Sequence, residues 1–338
     1  MKKANEAKSY FLCSGLDETT FEVTEFTGVD MISGPYQFEI TLRSVNDDID
    51  PEGVIGKQGT LFIHRDEEFY PYSGMISEFK FIEQNKDYCT YIVRLVPRLW
   101  ALQLNIQSRI FQKMTVPKII QKVISDAGIG DVTMDVGSYP EHEFIVQYQE
   151  SDLDFISRLM ESAGIFYFFK ENPLLEEELS PGCTSESLVI TDKPSSFLEI
   201  NGETTLLYKA RSGLNERIEE EAKESMHDIR FETRVIPREV VTRNYNYRTP
   251  ENFPAGKSPV KGGHKGALYH FGGAAKNVSE ANAEAKVESN RMASGRIQMS
   301  GECNCVGLRA GHRFTLDGDV KDRLKKSLWN GQAHPGIP

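Results

Sequence analysis

No stretch of this chain approaches the ~18 consecutive apolar residues that a membrane-spanning helix requires. The densest apolar run, Gly164-Ile-Phe-Tyr-Phe-Phe169, has the length of a buried strand. The amino terminus, Met1-Lys2-Lys3-Ala4-Asn5-Glu6, has lysines but no apolar stretch behind them. The expectation is therefore a chain without a Sec signal peptide, folding in the cytoplasm. Cysteine is sparse: Cys13, Cys89, Cys183, Cys303 and Cys305 are an odd, scattered set, unlike a disulfide framework. A single residue separates Cys303 from Cys305, tighter than the spacing of zinc sites. Positive charge is also in deficit, with 39 Lys and Arg against 50 Asp and Glu and a formal net charge of -11. Such a surface repels phosphate backbones and disfavours general nucleic-acid binding. The small cluster Arg323, Lys325 and Lys326 reads as a solvated face. Nowhere is there a Gly-x-Ser-x-Gly elbow, a His-Glu-x-x-His helix or a dinucleotide fingerprint. No catalytic, cofactor-binding or metal-ligating residue is assigned, and no enzymatic activity is expected.

What is present is an ordinary globular composition over 338 residues, 39% hydrophobic and 26% charged. The first hundred residues are rich in two-residue periodicity. Tyr36, Phe38, Ile40 and Leu42 alternate with Gln37, Glu39, Thr41 and Arg43, as in a half-buried strand. Phe62–His64, Phe79 with Phe81, and Tyr91, Val93 and Leu95 predict further strands. Turn signals fall at Gly34-Pro35, Asp50-Pro51, Tyr70-Pro71 and 83–87. Short strands at this spacing suggest a closed or partly closed barrel.

The period then changes. Thr115 caps a predicted helix with Pro117 in its first turn and Ile119, Ile120, Val123, Ile124 and Ala127 as its apolar stripe, stopped by Gly128. A second starts at Ser151, with Asp154 in capping-box position. Phe155, Ile156, Leu159, Met160 and Ala163 face inward, and Gly164 ends it. Ile165–Phe169 and Leu188–Ile190 read as strands around a polar, acidic surface loop at 171–186. Ile229, Phe231, Thr233 and Val235 alternate again, as do Tyr245 and Tyr247. Pro and Gly are frequent at 249–273, which reads as a long exposed loop suited to partner contacts. Ser279 is the expected cap of a third helix, Glu280 to about Ala293, followed by strands at 296–300 and 312–316.

Three groupings invite chemistry. Glu150, Asp152 and Asp154 resemble an acid cluster, but helix capping accounts for two of them and the ligand spacing of a calcium loop is missing. His264 and His270 flank Gly262-Gly263 and Gly272-Gly273, yet Gly272-Gly-Ala-Ala-Lys276 is not a P-loop, so an exposed loop is the expectation. Tyr245, Tyr247, Tyr269 and Phe271 either line a binding surface or fill a sheet face.

Read in order, Tyr72-Ser-Gly-Met-Ile-Ser-Glu-Phe79, Tyr91–Trp100, Ser108–Ile120, Gln147–Phe169 and Leu308-Arg-Ala-Gly-His-Arg-Phe-Thr-Leu316 carry a resemblance. Over residues 10–318 the chain resembles the N-terminal region of VgrG proteins, spikes of type VI secretion systems. It is more distantly similar to baseplate hubs of contractile phage tails. The resemblance implies an α+β, predominantly β fold of two related β-barrel-like domains, at 1–108 and 165–319, joined by a helical segment at 109–164. It further implies a homotrimer whose two similar lobes per chain present six similar faces to a hexameric tube of Hcp rings, among other baseplate proteins. Such a protein assembles in the cytoplasm and is delivered outside by the apparatus. Two departures stand out. Lys118 opposes the helix dipole where relatives often carry an acid, at a cost of about 0.3–1 kcal/mol. The tail 320–338 matches nothing in the family, where an OB-fold and a β-helical needle would follow, so puncturing and effector carriage are not assigned. Two alternatives remain: the hub of a prophage tail or phage-like injection device, and an enzyme with a site in its loops, which a pocket of converging titratable groups would reveal.

Overall fold

A computed structural model describes residues 9–202, 204–208, 224–246, 248, 250–251 and 253–318. The tail at 320–338, with Arg323, Lys325 and Lys326, lies outside the described residues, as does Tyr247. The alternating segments of the first hundred residues become β1 (Ser9–Cys13), β2 (Glu22–Met31), β3 (Gly34–Ser44), β4 (Gln58–Arg65), β5 (Glu68–Gln84) and β6 (Cys89–Val96). They form one antiparallel sheet in the order β1-β4-β5-β6-β3-β2. The inward set of β3 is the alternating one: Tyr36, Phe38, Ile40 and Leu42 are all buried. β1 and β2 are the sheet's edges and do not bond to each other, so the barrel is open on one side.

The following segment adds to the same apolar core. β7 (Ile106–Thr115) leads into α1 (Val116–Asp126), then β8 (Val132–Asp135), β9 (Glu141–Ser151) and α2 (Asp152–Ala163). β7 and β9 pair as a two-stranded ribbon. α1 begins at its Thr115 cap and buries Ile119, Ile120, Val123 and Ile124, whereas Ala127 is the exposed capping residue and not part of the stripe. Ser151 accepts the Asp154 amide at 3.0 Å, and Gly164 closes α2 in the left-handed conformation. Phe155 of α2 is fully buried and stacks on Phe111 of β7, ring centroids 5.4 Å apart. β10 (Phe166–Lys170), β11 (Ser187–Thr191) and β8 then form a small sheet.

One apolar core runs from Phe11 to Ile190 without a break. The expected boundaries at 108 and 164 therefore do not interrupt packing. The segment between them is not purely helical either, since β7, β8 and β9 lie in it. The reason is physical: an open sheet leaves an apolar face uncovered, and α1, α2 and β10 cover it.

The remaining strands are β12 (Leu198–Glu199), β13 (Thr205–Tyr208), β14 (Ser225–Thr233), β15 (Glu239–Arg243), β16 (Ala255–Pro259), β17 (Ala267–Phe271), β18 (Ile297–Cys303), β19 (His312–Arg313) and β20 (Thr315–Gly318). They build a four-stranded sheet, β18-β14-β13-β20, a three-stranded sheet, β16-β15-β17, and the β12–β19 pair. α3 (Val278–Ser294) packs on the three-stranded sheet. Three expectations change here. The stretch 249–273 is not a long loop, because β16 and β17 occupy ten of its residues. Gly256 marks a close approach: a Cβ there would lie 2.1 Å from the Ala281 carbonyl oxygen of α3. The cap of α3 is Asn277, not Ser279. Its side chain accepts the Glu280 amide at 3.0 Å, and the Glu280 carboxylate takes the Asn277 amide group at 2.7 Å. Finally, the strand near Tyr245 is Glu239–Arg243, and Tyr245 lies past its end; Val235 likewise falls beyond β14 and is exposed.

Candidate functional site

The segment 308–316 returns from the last strands to the first sheet, and one buried side chain makes the joint. Arg309 lies with its guanidinium 3.8 Å from the centre of the Tyr72 ring and donates to the Pro71 carbonyl. Its second nitrogen stands 3.8 Å from Glu171, and the two side chains are only 5% and 0% exposed. Glu171 accepts the Ser73 amide at 2.9 Å, and the Tyr36 hydroxyl donates to the Ser73 carbonyl. Asp30 accepts the Ala310 amide at 3.1 Å. Burial pushes the Glu171 carboxyl up to about 7, against the pull of Arg309, and raises Asp30 for the same reason. Next along, Gly311 has a φ of +75°, and a Cβ there would sit 2.2 Å from the Phe168 ring. Only glycine lets this strap lie flat on β10.

A second tie closes the other end of the acidic segment. Glu186, buried, accepts from the Arg98 amide at 2.7 Å and from its guanidinium at 2.9 Å. The stretch 171–186 is thus a surface loop only in its middle. Its first and last carboxylates are buried anchors, each held by an arginine.

The acid cluster of the sequence does not converge. Asp154 shares its cap with Ser151, and Glu150 pairs with Arg158. Asp152 does not cap. It is buried and accepts from Arg109 at 2.6 Å, Asn105 at 2.7 Å and Gln147 at 2.8 Å, fastening the start of α2 to β7 and β9. Beside it, an open cleft of about 410 Å³ is lined by Arg98, Asn105, Gly128 and Asp152, among others. Its two charged groups are each committed to an ion pair, so it presents no nucleophile–base geometry. His264 and His270 do not share a site: the His264 amide bonds Ile236, while the His270 ring stands 3.7 Å from Glu288 of α3. All five cysteines are free. Burial and the Glu224 carboxylate raise Cys305 to about 12, which disfavours the reactive thiolate. Tyr269 and Phe271 lie exposed on the edge strand β17, and Tyr245 packs beside Phe253.

Sequence reasoning missed Arg309, Glu171 and Asp30. The available signal was an arginine set between Leu308 and Ala310 in an otherwise apolar run, since such a charge needs a buried partner. The arrangement is a mechanical joint: aromatic, ionic and backbone contacts lock the end of the described chain to its beginning.

Residues 29–329 match the family described as phage tail baseplate hub (GPD). The spike protein VgrG1b of Pseudomonas aeruginosa is 26% identical over 325 residues, covering 94% of this chain and 42% of its own length. VgrG1c of the same organism is 27% identical over 311 residues, covering 90% of this chain and 40% of its own. The chain thus spans about two-fifths of these relatives. Among solved structures, the Escherichia coli c3393 protein, described as a component of the type VI secretion system similar to the T4 tail proteins gp27 and gp5, superposes with a TM-score of 0.66 at 21% identity. That match covers 91% of this chain and 67% of c3393. The 43 kDa tail protein of prophage MuSo2 from Shewanella oneidensis superposes at 0.56 with 12% identity, covering 93% and 90%. These relatives are spike and tail proteins, and this chain belongs to the phage tail baseplate hub family as a VgrG-like hub region.

Proposed function

We propose that this chain is the base of a type VI secretion spike, a homotrimer that seats on the terminal ring of an Hcp-like hexameric tube and contacts other baseplate proteins. It assembles in the cytoplasm and leaves with the apparatus. The observation that carries the reading is the hub-family match over 29–329 on a chain whose two β-rich parts are locked by a buried arginine. A docking base transmits an axial push and needs stiffness, not a reactive group. Three chains with two β-rich parts each offer six positions around one axis, which is what a hexameric ring can engage repeatedly. That sixfold imitation is an implication of the resemblance, and the strand pairing does not supply it. Within the described residues the two parts pair their strands differently, the first as one antiparallel sheet and the second as separate sheets with parallel pairs.

A second reading, the hub of a prophage tail, shares the architecture, and the MuSo2 tail protein matches over 90% of its own chain. Both readings are tested by mixing the full chain with hexameric rings of Hcp-like proteins and, separately, with phage tail-tube rings, and imaging the complexes. Threefold density capping only the Hcp-like ring supports the first reading. Capping only the phage ring supports the second, and binding to neither removes tube docking.

A further inference from the structure

The β7–β9 ribbon has two faces, and packing explains only one. Phe111 and Gln147 point inward and are buried, with Phe111 stacked on α2. The opposite face carries Ile106, Ile110, Phe144, Val146 and Tyr148, with Leu104 just before β7, and these side chains are 69%, 63%, 61%, 39%, 71% and 69% exposed. The register makes this one patch. Ile110 lies opposite Val146, Ser108 opposite Tyr148, and Gln112 opposite Phe144, distances at which cross-strand side chains touch. The only polar members are Ser108 and Gln112, so the face bears no charge. Together the six apolar residues expose about 700 Å², above the ~300–600 Å² of the largest patch on a typical monomer and close to the ~800 Å² that one side of a stable interface supplies.

We propose that this ribbon face is a protomer–protomer contact, covered by a second copy of the same chain. The inference rests on the homotrimer reading above and deepens it by naming the surface. Two observations select another copy as the occupant. The area approaches what one side of a standard stable interface provides. The composition, apolar and aromatic without charge, is that of the buried centre of homo-oligomer interfaces. A closed threefold ring uses a heterologous contact, so each ribbon meets a different surface of its neighbour.

The test is hydroxyl-radical footprinting of the full chain across a concentration series, with mass measured in parallel by light scattering. As a three-chain species forms, oxidation of Phe144 and Tyr148 is expected to fall at least fivefold. The double variant Ile110→Lys with Tyr148→Lys should self-associate at least tenfold more weakly while keeping the circular dichroism of the parent. Val235→Lys, at an exposed site off the ribbon, should associate as the parent does. A parent that stays monomeric throughout defeats the trimer reading itself. An oligomer in which Phe144 and Tyr148 stay oxidisable, or a double variant that assembles normally, defeats the ribbon assignment alone. So does protection of this face in the dilute monomer or only on adding tube rings.

Discussion

Arg309 is a cation with almost no access to water, and its removal strands the groups around it. Arg309→Met should cost about 3–5 kcal/mol, because Glu171 and Asp30 are left as uncompensated buried acids. The deficit should depend on pH. Arg309 lowers the pKa of both carboxyls, so in the variant each rises further, and protonation relieves the penalty. Urea unfolding should therefore show a larger loss at pH 8 than at pH 5; equal losses at both would exclude the ionic account. In the parent, Glu171 is raised from 4.5 to about 7, so the stability linked to its protonated form is present below pH 4.5 and lost as pH rises to 7. Asp152→Asn gives a contrasting case. An amide can accept from Arg109 only through its oxygen and turns its NH2 toward other donors. A loss of about 1.5–3 kcal/mol is expected, read by the same unfolding assay.

Among the elements, α2 was the most legible from residues alone. Its cap, inward stripe and glycine stop are all local properties, and Ser151→Ala should cost about 1 kcal/mol in thermal unfolding by removing the acceptor of the Asp154 amide. The alternation of β3 was equally readable, since one face meets the core and the other faces out. The stretch 249–273 was not. Its Pro and Gly content suggested a loop, but Gly256 is small because α3 lies against it, a tertiary fact with no trace in neighbouring residues. The Asn277 cap was missed because Ser279 and Asn277 are both good caps and only the backbone path chooses between them. The joint of Arg309, Glu171 and Asp30 joins residues far apart in sequence, so no window could contain it. Of the three, only Arg309 lies in a segment that carries the resemblance, and the resemblance holds no trace of its contacts.

For the whole molecule, the continuous core from Phe11 to Ile190 and the Arg309 strap predict that the two β-rich parts unfold together. Hydrogen exchange should show strands at 225–303 losing protection alongside β3 and β6 in the parent, and well before them in Arg309→Met. At this scale the reading of a rigid base is at stake: early, independent opening of the second part in the parent would leave nothing stiff enough to carry an axial load.

The strap also imposes an order in time. Ala310 bonds Asp30 across 280 positions and Arg309 bonds Pro71 across 238, so these contacts wait until nearly all of the described chain has left the ribosome. Until then the Glu171 carboxylate lacks its counter-ion, so the first part is held less firmly before residue 309 is in place than after it. A chain ended at residue 300 should be degraded several-fold faster in cells than one ended at 318, and equal half-lives would contradict it.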